Sequence, residues 1–177
     1  KVVAVTRRPV NYPSKKIVNE VINFDQLQKH RDIFSGDVLF SCLGTTLKQA
    51  GSIEEQRKVD FEYQYEAAKI ASEYKVKHYI LVSSSGANSK SRNSYLKMKG
   101  DLEDAVSVLP FKRISIIQPS LLIGERKSFR LGESVGSWVL PLLCKLPVLK
   151  QYRPISADQV AEKMVSLSLS AGNPKQV

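Results

Sequence analysis

Cysteine is almost absent. The 177 residues hold two, Cys42 and Cys144, with no C-x-x-C pair, which argues against a disulfide framework and a thiolate zinc site. A reducing, cytosolic setting is expected on that basis. Histidine is as scarce: His30 and His78 stand alone, each expected on the surface or on a strand face, so no metal site is predicted. No run of about 18 apolar residues occurs, and no membrane-spanning helix is expected. The opening residues Lys1 to Arg8 are too short and wrongly ordered for a secretory leader. Internal repeats and low-complexity segments are lacking too. Acidic residues are outnumbered 17 to 27 by Lys and Arg, leaving a net charge of +10. Such an excess raises a polyanionic partner. The basic residues are scattered, as at Lys15-Lys16 and Arg126-Lys127, without interleaved aromatics, which disfavours nucleic acid.

What is present is an alternation of strand and helix signals. Val2 to Thr6 and Ile17 to Ile22 are short β-branched runs, and Asp37 to Leu43 reads as a buried strand stopped by Gly44. Ser52-Ile53-Glu54-Glu55 has the S-x-x-E form of a capping box and opens a long helix. In that helix Ile53, Val59, Tyr63, Ala67, Ile70 and Tyr74 recur at helical spacing as one buried face. Val76 to Ser84 is the clearest strand, and its unbroken Tyr79-Ile80-Leu81-Val82 centre fits a sheet covered on both faces. A helix from Ser94 to Val108, a strand from Arg113 to Gln118 and a last helix from Ser156 to Leu169 follow. This order predicts an α/β fold with a doubly wound parallel sheet. Residues 1–177 are expected to form one domain, with 124–155 as an irregular apolar segment on the substrate side.

Such sheets bind ligands beyond the carboxyl ends of their strands. The residues there are Arg7-Arg8, Asp25, Gly44-Thr45, Ser83 to Ser85 and Pro119 to Leu122. Tyr95 and Lys99 are four apart and share a helix face. An ammonium close to a phenol favours the phenolate, which would let Tyr95 give or take a proton near neutral pH. Tyr12/Lys16 and Tyr65/Lys69 have the same spacing, but only Tyr95 opens a helix shortly after a strand that ends in serines. Ser84, with Ser83 next, is the hydroxyl expected to orient a substrate oxygen. Arg7 and Arg8, with no acid beside them, suit a ribose 2′-phosphate and so NADP over NAD. Asp60, within the long helix, reads as structural.

Taken together, these segments resemble the atypical short-chain dehydrogenase/reductases of the Tat-interacting-protein oxidoreductase type. Bacterial relatives labelled sugar-nucleotide epimerases or NAD(P)-binding proteins are similar too. The carrying residues are Thr6-Arg7-Arg8-Pro9, Ser41 to Thr46 with Ala50-Gly51, Val59-Asp60, Ser83 to Ala87, Tyr95 to Gly100, Gln118 to Leu122, and Arg126 through Arg130 to Glu133. The resemblance implies a Rossmann-like fold and an NADP(H) cofactor. Arg7 and Arg8 would meet the 2′-phosphate, and Leu43 and Gly44 would border the cofactor. Lys99 would hold the nicotinamide ribose and tune Tyr95, and Leu122 and Arg130 would lie near the nicotinamide end or the phosphates. Gln118-Pro119-Ser120 stands where the family has Arg-Pro-Gly. The family's first strand and its glycine-rich loop are missing from the chain, which begins where the family's second strand begins, and a preceding segment is expected.

The function that follows is a reductase or dehydrogenase acting on a small carbonyl or alcohol substrate, with catalytic Tyr95, Lys99 and Ser84. A redox-assisted epimerase uses the same parts. An NADPH-binding regulatory or protein-interaction module without turnover is the alternative of a different class.

Overall fold

Every strand ladder in the described part of the molecule is parallel. The structure is a computed structural model that describes residues 1–120, 122–123, 154–170 and 175–176. In chain order the elements are β1 (Val2–Thr6), β2 (Ile17–Val21), a 3-10 segment (Phe24–Phe34), β3 (Val38–Ser41), α1 (Leu47–Ala50), α2 (Ile53–Arg57), a π-helical turn (Lys58–Glu62), α3 (Tyr63–Glu73), β4 (His78–Val82), α4 (Ser94–Ser107), β5 (Arg113–Ile117), β6 (Leu122–Ile123), β7 (Ile155–Ser156), α5 (Ala157–Leu169) and β8 (Lys175–Gln176). The main ladder runs β3-β4-β5-β8, with His78 opposite Val38 on one side and Arg113 on the other.

β4 shows why its sequence is apolar without alternation. Side chains along a strand point to opposite faces. Tyr79 and Leu81 pack with Ala68, Leu102 and Val106 beneath α3 and α4. Ile80 faces the other way, onto Val160 and Met164 of α5, with Val82 beside it. Both faces of the central strand are therefore covered, and the fold is the expected Rossmann-like doubly wound α/β sheet.

β1 and β2 form a separate two-stranded ladder. Val5 of β1 and Leu39 of β3 nevertheless pack against one cluster, built from Ile22, Phe24, Leu27, Phe34, Ile70 and Ala71. No backbone ladder joins β1 to β3 among the described residues.

Two helix starts are as the sequence predicts. Ser52 accepts a hydrogen bond from the Glu55 amide at 3.1 Å, and Ser156 forms a full capping box with Gln159. The face of the long helix differs. Ile53 and Tyr74 are exposed, and the buried residues are Gln56, Asp60, Gln64, Ala67, Ala68, Ile70, Ala71 and Ser72. Gln56, Asp60, Gln64, Ala67 and Ala71 recur at steps of four and three, so the buried face keeps the helical period but carries polar side chains that a count of apolar residues passes over.

Candidate active site

The site is built where β4 ends. The ladder to β5 continues past the strand, with the Ser83 amide donating to Ile117 at 2.8 Å and the Ser85 amide to Pro119 at 2.9 Å. Extended backbone sends alternate side chains to opposite sides. Ser83 is buried and its hydroxyl donates to the Glu103 carboxylate. Ser84 is half-buried, and its hydroxyl makes no hydrogen bond among the described residues. Of the two serines, Ser84 is thus the one whose hydroxyl is not engaged among the described residues. Gly86, at φ +81°, turns the chain away, a left-handed conformation that disfavours a side chain.

The turn leads into α4. Asn93 caps it, its side-chain oxygen accepting from the amides of Tyr95 and Leu96 at 3.0 and 3.1 Å. This fixes Tyr95 in the first helical turn, where it is half-buried. Lys99 lies one turn deeper. Its side chain is 3% exposed, and its ammonium is 5.8 Å from the centre of the Tyr95 ring. The structure therefore brings Tyr95 and Lys99 together.

Lys99 also meets a residue that sequence reading set aside. Asp60, in the π turn, is 1% exposed, with Oδ1 2.8 Å from the Lys99 Nζ. Oδ1 has no aligned hydrogen-bond donor, so the contact is one of charges rather than a well-directed hydrogen bond. Oδ2 accepts from the Thr45 amide at 2.8 Å. The Asp60 carbonyl accepts from Gln64 Nε2 at 2.9 Å, and the Ser41 hydroxyl donates to Gln64 Oε1 at 2.8 Å. A Cβ on Gly44 would stand 3.4 Å from Asp60 Oδ1. The Leu43–Gly44 loop after β3 and the buried lysine are thus neighbours through Asp60.

A second carboxylate ties the strand ends to α4. Gln118 Nε2 lies 2.9 Å from each Glu103 oxygen, and Ser83 donates to the same group. Gln118 here engages an acidic side chain through an amide, with no charge of its own to balance it. Sequence reading noted Gln118 as a departure and did not find Glu103; their separation of 15 residues on different elements gives no periodic signal.

Arg7 and Arg8 follow β1 and are exposed, with no ion pair among the described residues. The Arg8 carbonyl accepts from the Thr6 hydroxyl at 2.7 Å, which shapes the turn. Nearby, the Tyr63 hydroxyl donates to Asp25 at 2.5 Å. Burial, then that bond to the Asp25 carboxylate, pushes the Tyr63 phenol up to about 12, while the Arg7 charge acts in the opposite direction. Leu122 packs against the Ile80, Val160 and Met164 cluster under α5. Arg130 lies outside the described residues. His78 is buried on β4, with Nε2 2.9 Å from the Ser115 hydroxyl, a core role.

No protein-family model matches the chain. It is 38% identical over 137 residues to protein fmp52, mitochondrial, of Emericella nidulans, covering 77% of this chain and 59% of that protein. It is 34% identical over 181 residues to Protein FMP52, mitochondrial, of Eremothecium gossypii, covering 99% and 80%. To Protein HTATIP2 of Rattus norvegicus it is 36% identical over 137 residues, covering 75% and 56%. The chain thus spans less than two thirds of the first and the last of these relatives. The mitochondrial names of the fungal relatives overturn the cytosolic expectation. Unpaired cysteines separate a reducing from an oxidising setting and do not tell one reducing compartment from another.

Among solved structures, WbmG of Bordetella bronchiseptica in complex with NAD matches with a TM-score of 0.69 at 13% identity, over all of this chain and 63% of that one. The ligand-free aldohexose dehydrogenase of Thermoplasma acidophilum matches with a TM-score of 0.61 at 17% identity, over 95% and 76%. At such identities the likeness establishes the fold, a Rossmann-like sheet. The sequence relatives add the branch: the chain belongs to the atypical short-chain dehydrogenase/reductases of the HTATIP2, or Tat-interacting-protein, type.

Proposed function

We propose that the protein is an NADP(H)-dependent oxidoreductase that interconverts a carbonyl and an alcohol. The observation that carries this reading is the Lys99 ammonium, buried 5.8 Å from the Tyr95 ring centre, at the end of a strand whose Ser84 hydroxyl has no partner among the described residues. Two features suit a nicotinamide dinucleotide. The guanidinium groups of Arg7 and Arg8 are solvent-facing and unpaired among the described residues, as a phosphate dianion requires. Gly44 leaves the β3 loop without a side chain where backbone would border the cofactor. WbmG is described in complex with NAD, which agrees with a dinucleotide of this class.

The dinucleotide, when bound, supplies or accepts the hydride. Tyr95 exchanges the proton at the substrate oxygen, as a donor in reduction and an acceptor in oxidation. Ser84 donates a hydrogen bond to that oxygen while charge develops on it. Lys99 sets a positive charge beside the phenol and holds the ribose, and Leu43 and Gly44 line the cofactor through their backbone. Leu122 and Arg130 would lie toward its nicotinamide end or phosphates.

The test is a titration of NADPH and NADH against the full-length protein, followed by nicotinamide fluorescence, then a carbonyl screen. Tight NADPH and weak NADH binding is expected. Removing both Arg7 and Arg8 should weaken NADPH by about 10–100-fold, the value of one or two lost charge-assisted bonds, and leave NADH nearly unchanged. Tyr95→Phe should retain NADPH and lose turnover by about a hundredfold or more. Binding of NADPH with no turnover on any carbonyl or sugar nucleotide would favour the interaction module instead.

A further inference from the structure

In each of the other ion pairs of the described residues at least one partner is well exposed; Lys99 and Asp60 are sealed in together at 3% and 1%. A charge taken out of water without a partner is strongly unfavourable. Asp60 lies in the π turn at Lys58–Glu62, and its carboxylate meets Lys99 of α4 from there. That turn is held from outside by Arg57, which lies 3.5 Å from Asp101 of α4 and 4.2 Å from the Phe61 ring. Wide turns of this kind are rare within helices and gather at functional sites.

We propose that Asp60 is a positioning residue of the active site: its carboxylate is the counter-ion that holds the Lys99 ammonium beside Tyr95. Through Oδ2 and the Thr45 amide it also fixes the loop that carries Leu43 and Gly44. One carboxylate thus sets both the lysine charge and a backbone segment assigned to the cofactor. This role rests on the oxidoreductase reading of Tyr95 and Lys99. Asp60 and Tyr95 are the titratable groups set against the lysine. Glu103, one turn further on α4, is taken by Ser83 and Gln118, and Asp101 by Arg57 and Lys97.

The test compares wild type, Asp60→Asn and the double variant Asp60→Asn/Lys99→Met by urea denaturation from pH 6 to pH 10. Asparagine keeps the shape and an acceptor for Thr45 but removes the charge. The lysine of Asp60→Asn then sits buried and unaccompanied, and sheds its proton more readily folded than unfolded. The unfolded state binds more protons, so stability of this variant rises with pH. Its deficit against wild type should be largest near pH 6 and narrow toward pH 10, and the double variant should recover most of it. A deficit that is constant with pH, or a double variant no more stable than the single one, overturns the counter-ion role. Should Asp60→Asn fail to fold, folding of the double variant supports the proposal, and its failure overturns it. NADPH affinity gives the second readout. Asp60→Asn should lose at least about tenfold more affinity at pH 9 than at pH 6, because the ammonium fraction falls as pH rises; equal loss at both indicates a merely structural aspartate. Failure of wild type to bind NADPH would refute the oxidoreductase reading, and the urea series would still decide the role of Asp60.

Discussion

Adding a single methyl group at Gly100 should unseat the candidate active site. Gly100 follows Lys99 in α4, and a Cβ there would stand 2.2 Å from the Ser89 amide nitrogen, 2.3 Å from the Asn88 carbonyl carbon and 2.6 Å from the Asn88 Cα. Carbon atoms in good contact sit about 3.5–4.0 Å apart. All three atoms are backbone, so no rotamer change relieves the overlap, and the loop or the helix must retreat by more than 1 Å by this comparison. That loop joins Ser84 to Tyr95, and its Asn88 amide donates to Leu96 at 3.0 Å. Alanine returns about 1 kcal/mol of helix propensity. Overpacking costs about 1–3 kcal/mol where side chains can shift, and more where they cannot. The net expectation for Gly100→Ala is a loss of about 2–3 kcal/mol, which for a chain of this size lowers Tm by about 4–12 °C. Thermal and urea unfolding of the full-length protein would measure it, with Asp104→Ala as a control on the exposed side of the same helix, expected within about 0.5 kcal/mol of wild type. A Gly100→Ala protein as stable as wild type would refute the tight seating of α4 on the Asn88–Ser89 loop.

Other measurements bear on different parts of the fold. Burial, followed by the Arg113 charge, holds the His78 imidazole below its ordinary value of 6.5. Its contribution to stability is therefore complete above about pH 6.5 and is lost as pH falls toward the depressed folded value. Urea stability should decline from pH 7 to pH 5, and His78→Gln should flatten that part of the decline; identical slopes would refute the assignment. Lys75 holds φ +58° at the end of α3, where the Val76 amide bonds the Ala71 carbonyl at 3.0 Å in a Schellman-type closure. Lys75→Gly should relieve the left-handed strain and, after the greater freedom of unfolded glycine is counted, gain about 0.5–1 kcal/mol; a fall in the denaturation midpoint would contradict it.

The sequence made the sheet legible because burial leaves a pattern. Val76 to Ser84 is apolar throughout, and β4 is covered on both faces. Ser52 and Ser156 announced their helices because a cap is a local transaction between a hydroxyl and an amide three residues on. Tyr95 and Lys99 were legible for the same reason: both stand on one helix, one turn apart. What stayed hidden is of another kind. Residues Phe24–Phe34 form a 3-10 segment with non-helical breaks at Gln26 and His30, and such a segment has no steady period to detect. Asp60 and Lys99 are 39 positions apart on elements that meet only when α4 docks on the π turn. In sequence Asp60 reads as a structural residue of its helix, and nothing in the spacing pairs it with Lys99. Counting only apolar residues compounds this, since it assigns the face to Val59 and Tyr63, while Asp60 and Gln64, one position further on, are the more deeply buried. His78 and Ser115 face each other across β4 and β5, and Glu103 meets Gln118 where those strands end. A polar residue is read as buried only when its partner is known, and for Asp60, His78 and Glu103 that partner comes from a different element. The chemistry of the candidate site therefore divides along a physical line: side chains that act within one helix can be inferred from spacing, while those that hold them in place emerge only from packing.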